Sequence, residues 1–197
     1  MSHYYTDNTD LESNREVFKY YFRDQQFNFT TDNGVFSKKD VDYGSYVLIN
    51  TVIDKELGPN LLDLGCGYGP IGIIIKRFNP SITLDMVDIN SRATDLAKVN
   101  LSINSIQANV YCNDNIETLN KSYNTILLNP PIRTGKKNIF DLYEKSYRCL
   151  ETNGKLYIVI QKKQGEESSF NKLKDLFNNA TVINKQHGYY VIEAIKK

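Results

Sequence analysis

The segment NLLDLGCGYGPIGIIIKRF, Asn60 to Phe78, decides the fold of this 197-residue chain. A short apolar run ends in alternating glycines, and a second apolar run follows them. Glycine lets the backbone pass tightly from a strand into a helix, and Pro70 suits a first helical position because no hydrogen-bonded N–H is needed there. The segment therefore predicts a strand, a glycine loop and a helix, which form the first unit of an α/β sheet.

Strands and helices continue to alternate along the rest of the chain. The predicted strands after NLLDLG are ITLDMVDI, ANVYCND, YNTILLN, GKLYIVIQKK, ATVINKQH and YYVIEAIKK, and the predicted helices between them include SRATDLAKVNLSI, IFDLYEKSYRCL and SSFNKLKDLF. This order predicts a Rossmann-like, doubly wound, mostly parallel sheet of seven strands, with an antiparallel C-terminal hairpin turning at His187-Gly188. Before the sheet, Val17–Phe22 and Phe27–Thr30 predict a β-hairpin around a turn at residues 23–26. VDYGSYVLINTVI predicts a helix.

Length and composition predict one domain. We expect a flexible tail over residues 1–15, the hairpin and helix over 16–55 and the main sheet over 56–197. The apolar runs are too short to span a membrane, which predicts a soluble cytoplasmic protein. Cys66, Cys112 and Cys149 lack the spacing of a disulfide framework or a zinc site, and no metal is expected. The formal net charge is +1, so any affinity for nucleic acid must come from local basic clusters.

Polar side chains end four consecutive strands: Asp63, Asp88, Asp114 and Asn129. Ligands of such sheets bind at the carboxyl ends of the strands. The sequence from Gly67 to Gly72 also satisfies the dinucleotide pattern G-x-G-x-x-G. A carboxylate at Asp63 would repel a pyrophosphate but attract an ammonium or a sulfonium, which favours S-adenosylmethionine over a dinucleotide. Asp88 is then placed for the ribose hydroxyls and Asp114 for the adenine amine, although each acid could instead cap a helix.

The fourth strand ends in Asn129-Pro130-Pro131-Ile132. Exocyclic amines and amides are poor nucleophiles because their lone pair is delocalised, and accepting hydrogen bonds from both N–H groups raises their nucleophilicity. The Asn129 side-chain oxygen and the Pro130 carbonyl can supply these two acceptors, while the prolines stiffen the loop. The motif therefore predicts methyl transfer to nitrogen.

With these motifs, the chain resembles the class I S-adenosylmethionine-dependent methyltransferases that act on nitrogen. DNGVFSKKDVDYGSYVLI, NPPIRTGKK and VIQKKQG make it similar to the methyltransferase small-domain family from about Phe18 onward. Known members of that family make N2-methylguanosine in 16S or 23S ribosomal RNA. The resemblance implies that the target base contacts Asn129 to Ile132. It also implies cofactor-binding roles for Asp63, Gly65, Cys66, Gly67, Gly69, Asp88, Ile89, Asp114, Asn115 and Asn129.

The chain departs from the family pattern at Ile132. Members that modify a flat base often carry an aromatic residue there, so we expect stacking to come from Phe36 or from the N-terminal hairpin. Better-known relatives are about twice as long and carry an additional amino-terminal domain. Three basic clusters are expected to contact RNA phosphates: Lys38 and Lys39 after Phe36, Arg133, Lys136 and Lys137 in the proline loop, and Lys162 and Lys163 after the fifth strand.

The sequence hypothesis is an RNA methyltransferase that acts on guanine N2, with small-subunit ribosomal RNA or the ribosomal subunit as its partner. The sequence leaves the oligomeric state undecided and favours a monomer. One alternative is an N-methyltransferase that acts on protein glutamine or on adenine. The other is a non-catalytic RNA-binding protein of ribosome assembly, against which the intact motifs argue.

Overall fold

The structure, a computed structural model, describes residues 12–35, 37 and 39–197. Nine strands and five α-helices are described: β1 Glu16–Phe22, β2 Gln25–Thr31, α1 Tyr43–Val52, β3 Asn60–Leu64, α2 Pro70–Phe78, β4 Thr83–Asp88, α3 Ser91–Ile103, β5 Asn109–Cys112, β6 Tyr123–Leu128, α4 Lys136–Cys149, β7 Leu150–Gln161, α5 Glu166–Phe177, β8 Ala180–Gln186 and β9 Tyr189–Ile195. Short 3-10 helices cover Ile116–Leu119, Ile132–Thr134 and Lys162–Gln164.

Seven strands form one sheet in the order β5-β4-β3-β6-β7-β9-β8. The pairs from β5 to β7 are parallel, and β9 pairs antiparallel with both β7 and β8. The strand order reverses between β3 and β6, which are neighbours although α2, α3 and two strands separate them in sequence. The predicted mostly parallel sheet with its antiparallel hairpin is confirmed.

Side-chain alternation along β3 assigns its residues to the two faces of the sheet. Leu61 belongs to the core on the side of α1, α2 and α3, whereas Leu62 and Leu64 belong to the core on the side of α4 and α5. Asp63 must share the face of Leu61, beneath α2. This orientation decides what its carboxylate contacts.

The N-terminal hairpin β1–β2 is held to α3 by two asparagines one helical turn apart. Asn100 and Asn104 each accept a backbone N–H and donate to a carbonyl of β2, at Thr30 and Asn28 respectively. These four bonds replace the partner strand that the edge of β2 lacks. The hairpin, predicted from its aromatic residues, therefore belongs to the same folded body as the sheet.

Some predicted boundaries were wrong. Lys136 and Lys137 start α4 instead of lying in the proline loop, and β7 begins at Leu150, four residues before the predicted start. Within the predicted tail of residues 1–15, the Ser13 hydroxyl and the Asn14 backbone N–H donate to Asp32. Residues 1–11 lie outside the described part of the chain. Within that part, no helix is long and apolar enough to cross a membrane.

Candidate functional site

Two cavities open at the carboxyl ends of the parallel strands. Their volumes are about 290 Å³ and about 200 Å³, and both are lined by Gly65, Asp88 and Asn129. Since they share these three residues, they form one cleft across the ends of β3, β4 and β6. The cleft lies where the strand order reverses, the place at which α/β sheets bind ligands.

The three glycines between β3 and α2 have different surroundings. Gly65, Gly67 and Gly69 all have positive φ, of 70°, 57° and 98°. A Cβ on Gly67 would meet no atom within 4 Å, so the space above it is open to a ligand. A Cβ on Gly69 would lie 2.8 Å from the Met86 Cε atom. Gly69 does not line the cleft. The absence of a side chain at this position instead lets the loop pack closely against Met86 of β4.

Asp63 does not line the cleft either. The side chain is fully buried, and its Oδ2 atom accepts the Gly72 N–H of α2 at 2.8 Å. Its Oδ1 atom has no hydrogen-bond partner among the residues that the structure describes. Burial raises the pKa of Asp63 to about 7, and the nearby Asp88 charge adds to this effect. The carboxylate predicted to contact the cofactor is thus buried away from the cleft surface and ties β3 to the first turn of α2.

The raised pKa of Asp63 makes the stability of the ligand-free protein depend on pH. Since the folded state keeps this proton up to a pKa of about 7 and the unfolded state loses it near its ordinary value, the stabilising contribution is full below about pH 4 and is lost by about pH 7. Asp63→Asn cannot ionise. We expect the free energy of unfolding of the wild type to fall relative to Asp63→Asn by up to about 4 kcal/mol between pH 4 and pH 7 in urea titrations. Parallel pH dependences of the two proteins would contradict this prediction.

Asp88 ends β4 and lines both cavities. Its Oδ2 atom accepts the Gly67 N–H at 2.8 Å, and its Oδ1 atom accepts the Asn90 N–H at 2.9 Å. The carboxylate therefore fixes the glycine loop to the turn before α3. Burial raises the pKa of Asp88 despite these bonds. Each carboxylate oxygen has a further lone pair, so Asp88 can still accept hydrogen bonds from the hydroxyl groups of a ligand.

The larger cavity extends from Asp88 to the loop after β5. Ile89, which is 47% exposed, and Ile116 provide apolar contact, while Asn113 and Asp114 provide polar groups at the rim. Asn115 was predicted to face the cofactor, but it does not line the cavity. Its Oδ1 atom accepts the Glu117 N–H and caps the 3-10 helix Ile116–Leu119. Asn113 occupies the place expected for Asn115.

Asn129, directly after β6, is held by two residues of the N-terminal part of the chain. Its Nδ2 atom donates to the Asp42 Oδ2 atom and to the Ser45 Oγ atom, both at 3.0 Å. A carboxylate can only accept, so this contact fixes which end of the amide faces α1. The Asn129 Oδ1 atom is thereby left as an acceptor at the cleft. Asp42 also caps α1, because the same Oδ2 atom accepts the Ser45 N–H.

Asp42 therefore has a testable positioning role. Asp42→Ala should lower turnover roughly tenfold or more because the Asn129 amide loses an anchor, with little change in cofactor affinity. Losing the helix cap should also cost about 1 kcal/mol of stability. Asp42→Asn is the matched control: one amide oxygen can accept from both donors, as Oδ2 does. Steady-state kinetics in which Asp42→Asn falls as far as Asp42→Ala would argue against the anchor.

The proline loop forms the wall between the two cavities. Pro131 lines the larger cavity, whereas Pro130 and Ile132 line the smaller one. The Pro131 carbonyl accepts both the N–H and the side-chain hydroxyl of Thr134. Of the two proline carbonyls, that of Pro130 is thus the candidate second acceptor beside Asn129.

The basic residues lie at different distances from the cleft. Arg133 lines the smaller cavity, whereas Lys136 and Lys137 are exposed in the first turn of α4. Lys162 and Lys163 are exposed in the 3-10 helix after β7, whose residue Gln164 lines the smaller cavity. Lys39 is exposed as well. Phe36 and Lys38, predicted to contact RNA, lie outside the described residues.

Several lining residues were missed from the sequence, among them Asp42, Ser45 and Tyr189. Cys66, which was predicted, lines the smaller cavity together with Tyr68. Burial raises the pKa of the Cys66 thiol, so it is not a ready nucleophile. Asp42 and Ser45 form the helix cap of α1, and nothing in the sequence links that cap to Asn129.

Comparison with known proteins assigns this chain to a family. The family described as "Methyltransferase small domain" matches residues 26–193. YbxB of Bacillus subtilis, named as an uncharacterized protein, is 42% identical over 98% of both chains. The ribosomal RNA small subunit methyltransferase C of Psychromonas ingrahamii is 32% identical over 83% of this chain. That alignment spans 47% of the relative, so this chain corresponds to about half of such proteins.

A solved structure has the same fold. The T. thermophilus 16S rRNA N2 G1207 methyltransferase (RsmC), solved in complex with AdoMet and guanosine, superposes with a TM-score of 0.84 at 21% identity. The match covers 93% of this chain and 51% of that one. Its bound AdoMet is S-adenosylmethionine, the cofactor predicted here from the sequence. The chain belongs to the methyltransferase small domain family.

Proposed function

We propose that this protein transfers a methyl group from S-adenosylmethionine to the N2 amine of guanine in small-subunit ribosomal RNA. The observation that carries the proposal is the anchored amide of Asn129, whose Oδ1 atom is directed to the cleft beside Pro130. The names of the relatives support the RNA and the base. This chain spans about half the length of those relatives, so its substrate is part of the proposal.

The residues of the cleft fit the proposed cofactor. Open space above Gly67 lets a ligand approach the backbone, and Asp88 retains lone pairs for ribose hydroxyls. Ile89 and Ile116 offer apolar surface to a base in the larger cavity, with Asp114 at its rim as an acceptor. The methionine part then belongs over Gly65 and Cys66, next to the smaller cavity. The bound cofactor supplies a methyl carbon made electrophilic by its sulfonium.

The chain's own residues align the acceptor amine. The Asn129 Oδ1 atom and the Pro130 carbonyl accept its two N–H groups, which favours a pyramidal nitrogen with a localised lone pair. Because Asp42 and Ser45 hold the amide beforehand, alignment requires little reorganisation. No side chain is needed as a general base, since the methylated amine can lose its proton to solvent. Rate enhancement comes from approximation and acceptor alignment.

The test compares ribosomal RNA from cells with and without the protein by mass spectrometry. We expect one N2-methylguanosine in 16S RNA to be absent when the protein is absent. Unchanged N2-methylguanosine at every position would contradict the guanine assignment. Purified protein with labelled cofactor should then be offered naked RNA, small subunits and release factors, because label on a release factor would indicate glutamine as the substrate.

Calorimetry separates the enzyme from a non-catalytic assembly factor. S-adenosylmethionine should bind the wild type with a measurable Kd. No binding near millimolar cofactor would remove the enzyme function, because the free energy of binding would then be weaker than about −4 kcal/mol. Binding without transfer to any offered substrate would instead remove the proposed substrate.

A further inference from the structure

An aromatic surface borders the smaller cavity. Tyr189, the first residue of β9, lines the cavity. The Tyr43 ring contacts the rings of both Tyr189 and His187. The Tyr43 ring lies 5.5 Å from the ring of Tyr189 and 5.9 Å from that of His187, both edge-on. Tyr43 is 37% exposed, and His187 is exposed. Aromatic residues that only filled the core would be buried, whereas these form part of the surface at the mouth of the cleft.

Tyr189 lies next to the residues that hold Asn129. A Cβ built on Gly44 would be 3.0 Å from the Tyr189 Cε1 atom and 2.9 Å from the Asp42 Oδ2 atom. The ring and the carboxylate therefore both lie close to Gly44 in the first turn of α1. The same Asp42 oxygen accepts from Asn129. The Tyr189 ring is thus separated from the candidate acceptor amide by one side chain.

The backbone around Tyr189 is fixed on two sides. Tyr189 pairs with Gln161 in the β7–β9 ladder, and the Lys162 N–H donates to the Gly188 carbonyl in the preceding turn. Gly44 allows the ring to lie against α1, since any side chain there would displace it. Ile132 lines the same cavity and offers only an aliphatic side chain. Of its two described aromatic lining residues, Tyr68 is 3% exposed and Tyr189 is partly exposed, so Tyr189 is the ring that a ligand in this cavity can contact.

We propose that Tyr189, supported by Tyr43 and His187, is the surface on which the target nucleobase stacks. This inference rests on the proposed function and names the substrate of the same site as an unpaired base in RNA. The ring takes the role that Ile132 cannot perform. Base–aromatic stacking is sequence-tolerant and substantial, and it suits a base taken out of its helix.

The charges around the surface match a nucleotide better than a peptide. Arg133 lines the same cavity, and Lys162 and Lys163 lie beside the Gly188 turn. These cations can contact the phosphates that flank a stacked base. A glutamine side chain has no ring to stack on Tyr189 and no phosphate for Arg133. The surface therefore favours RNA over protein as the substrate.

The chain contains no tryptophan, which makes stacking directly observable. Tyr189→Trp introduces a single indole whose fluorescence should be quenched on adding guanosine monophosphate or a short single-stranded RNA that contains guanine. Tyr190→Trp is the matched control. Tyr190 follows on the same strand, faces the other side of the sheet and lies under Lys185, so its indole should not respond. If Tyr189→Trp does not fold, Tyr43→Trp reports on the same surface.

Kinetics of RNA methylation provide the second measurement. Tyr189→Phe keeps the ring and should retain the wild-type KM for RNA, whereas Tyr189→Leu should raise it roughly five- to 150-fold while cofactor affinity stays unchanged. Melting temperatures establish that both variants are folded. The inference is overturned if the indole of Tyr189→Trp, or of Tyr43→Trp in its place, is not quenched, if Tyr190→Trp is quenched as strongly, or if Tyr189→Leu keeps the wild-type KM. Quenching without any methyl transfer to RNA would support the stacking surface and count against the proposed reaction alone.

Discussion

Asn129→Ala is expected to lower turnover roughly a hundredfold or more while leaving cofactor affinity nearly unchanged. The alanine removes the Oδ1 acceptor that is proposed to align the target amine. Cofactor contacts are expected from the glycine loop and Asp88, which belong to β3 and β4, so their positions do not depend on this side chain. Single-turnover kinetics and calorimetry with S-adenosylmethionine measure the two quantities separately.

Asn129→Asp distinguishes the orientation of the amide from its mere presence. The variant keeps an acceptor oxygen but loses the Nδ2 donor, and it places a carboxylate against that of Asp42, about 3.0 Å from where the amide nitrogen lay. Like charges at this distance repel, so the side chain should leave its position. We expect turnover close to that of Asn129→Ala.

Full activity in Asn129→Ala would reduce the proline loop to a structural turn and remove the reason given for its two prolines.

The main elements of the fold could be predicted because their signals are local. Apolar runs of strand length alternate with helical segments, and glycines or prolines punctuate them, so the sheet and its C-terminal hairpin follow from the order of elements. The ends of helices and strands were predicted less accurately where the local sequence has only a weak preference for one structure. Lys136 and Lys137 resemble loop residues, but Gly135 with φ of 90° ends the 3-10 helix and allows α4 to begin at once.

The site was predicted less completely than the fold because its essential contacts are distant in sequence. Asn129 contacts Asp42 and Ser45 across 87 and 84 residues, and no local pattern indicates that pairing. Tyr189 reaches the cleft only because β9 pairs with β7, which brings the C-terminal hairpin over α1. Each of these residues has an ordinary local explanation as a cap or a strand residue.

Asp63 shows how a local rule could have corrected the sequence interpretation. Strand side chains alternate, so a carboxylate two residues after Leu61 must point with it toward α2. There the Gly72 N–H at the start of the helix is its partner. A buried acid beneath a helix N-terminus thus fixes the start of α2 and does not line the cleft.

Asp88→Ala is expected to weaken S-adenosylmethionine binding by about 1 to 3 kcal/mol, roughly a five- to 150-fold increase in Kd. The variant removes the acceptor proposed for the ribose hydroxyls. It also leaves the Gly67 and Asn90 N–H groups without the carboxylate that now joins them, so the glycine loop loses an anchor. Turnover at saturating cofactor should be largely retained, because Asn129 is held by α1.

Asp85→Asn is the matched control for Asp88→Ala. Asp85 lies three residues earlier on β4, where it is buried and accepts from Asn109, Lys121 and Tyr123, away from the cleft. Its replacement should lower stability, because one amide oxygen cannot serve three donors, and should leave the Kd for cofactor unchanged. Calorimetry on both variants separates loss of a cofactor contact from general weakening of β4. A wild-type Kd in Asp88→Ala would show that Asp88 serves only to hold the loop, and equal losses of affinity in the two variants would attribute the effect to weakening of β4.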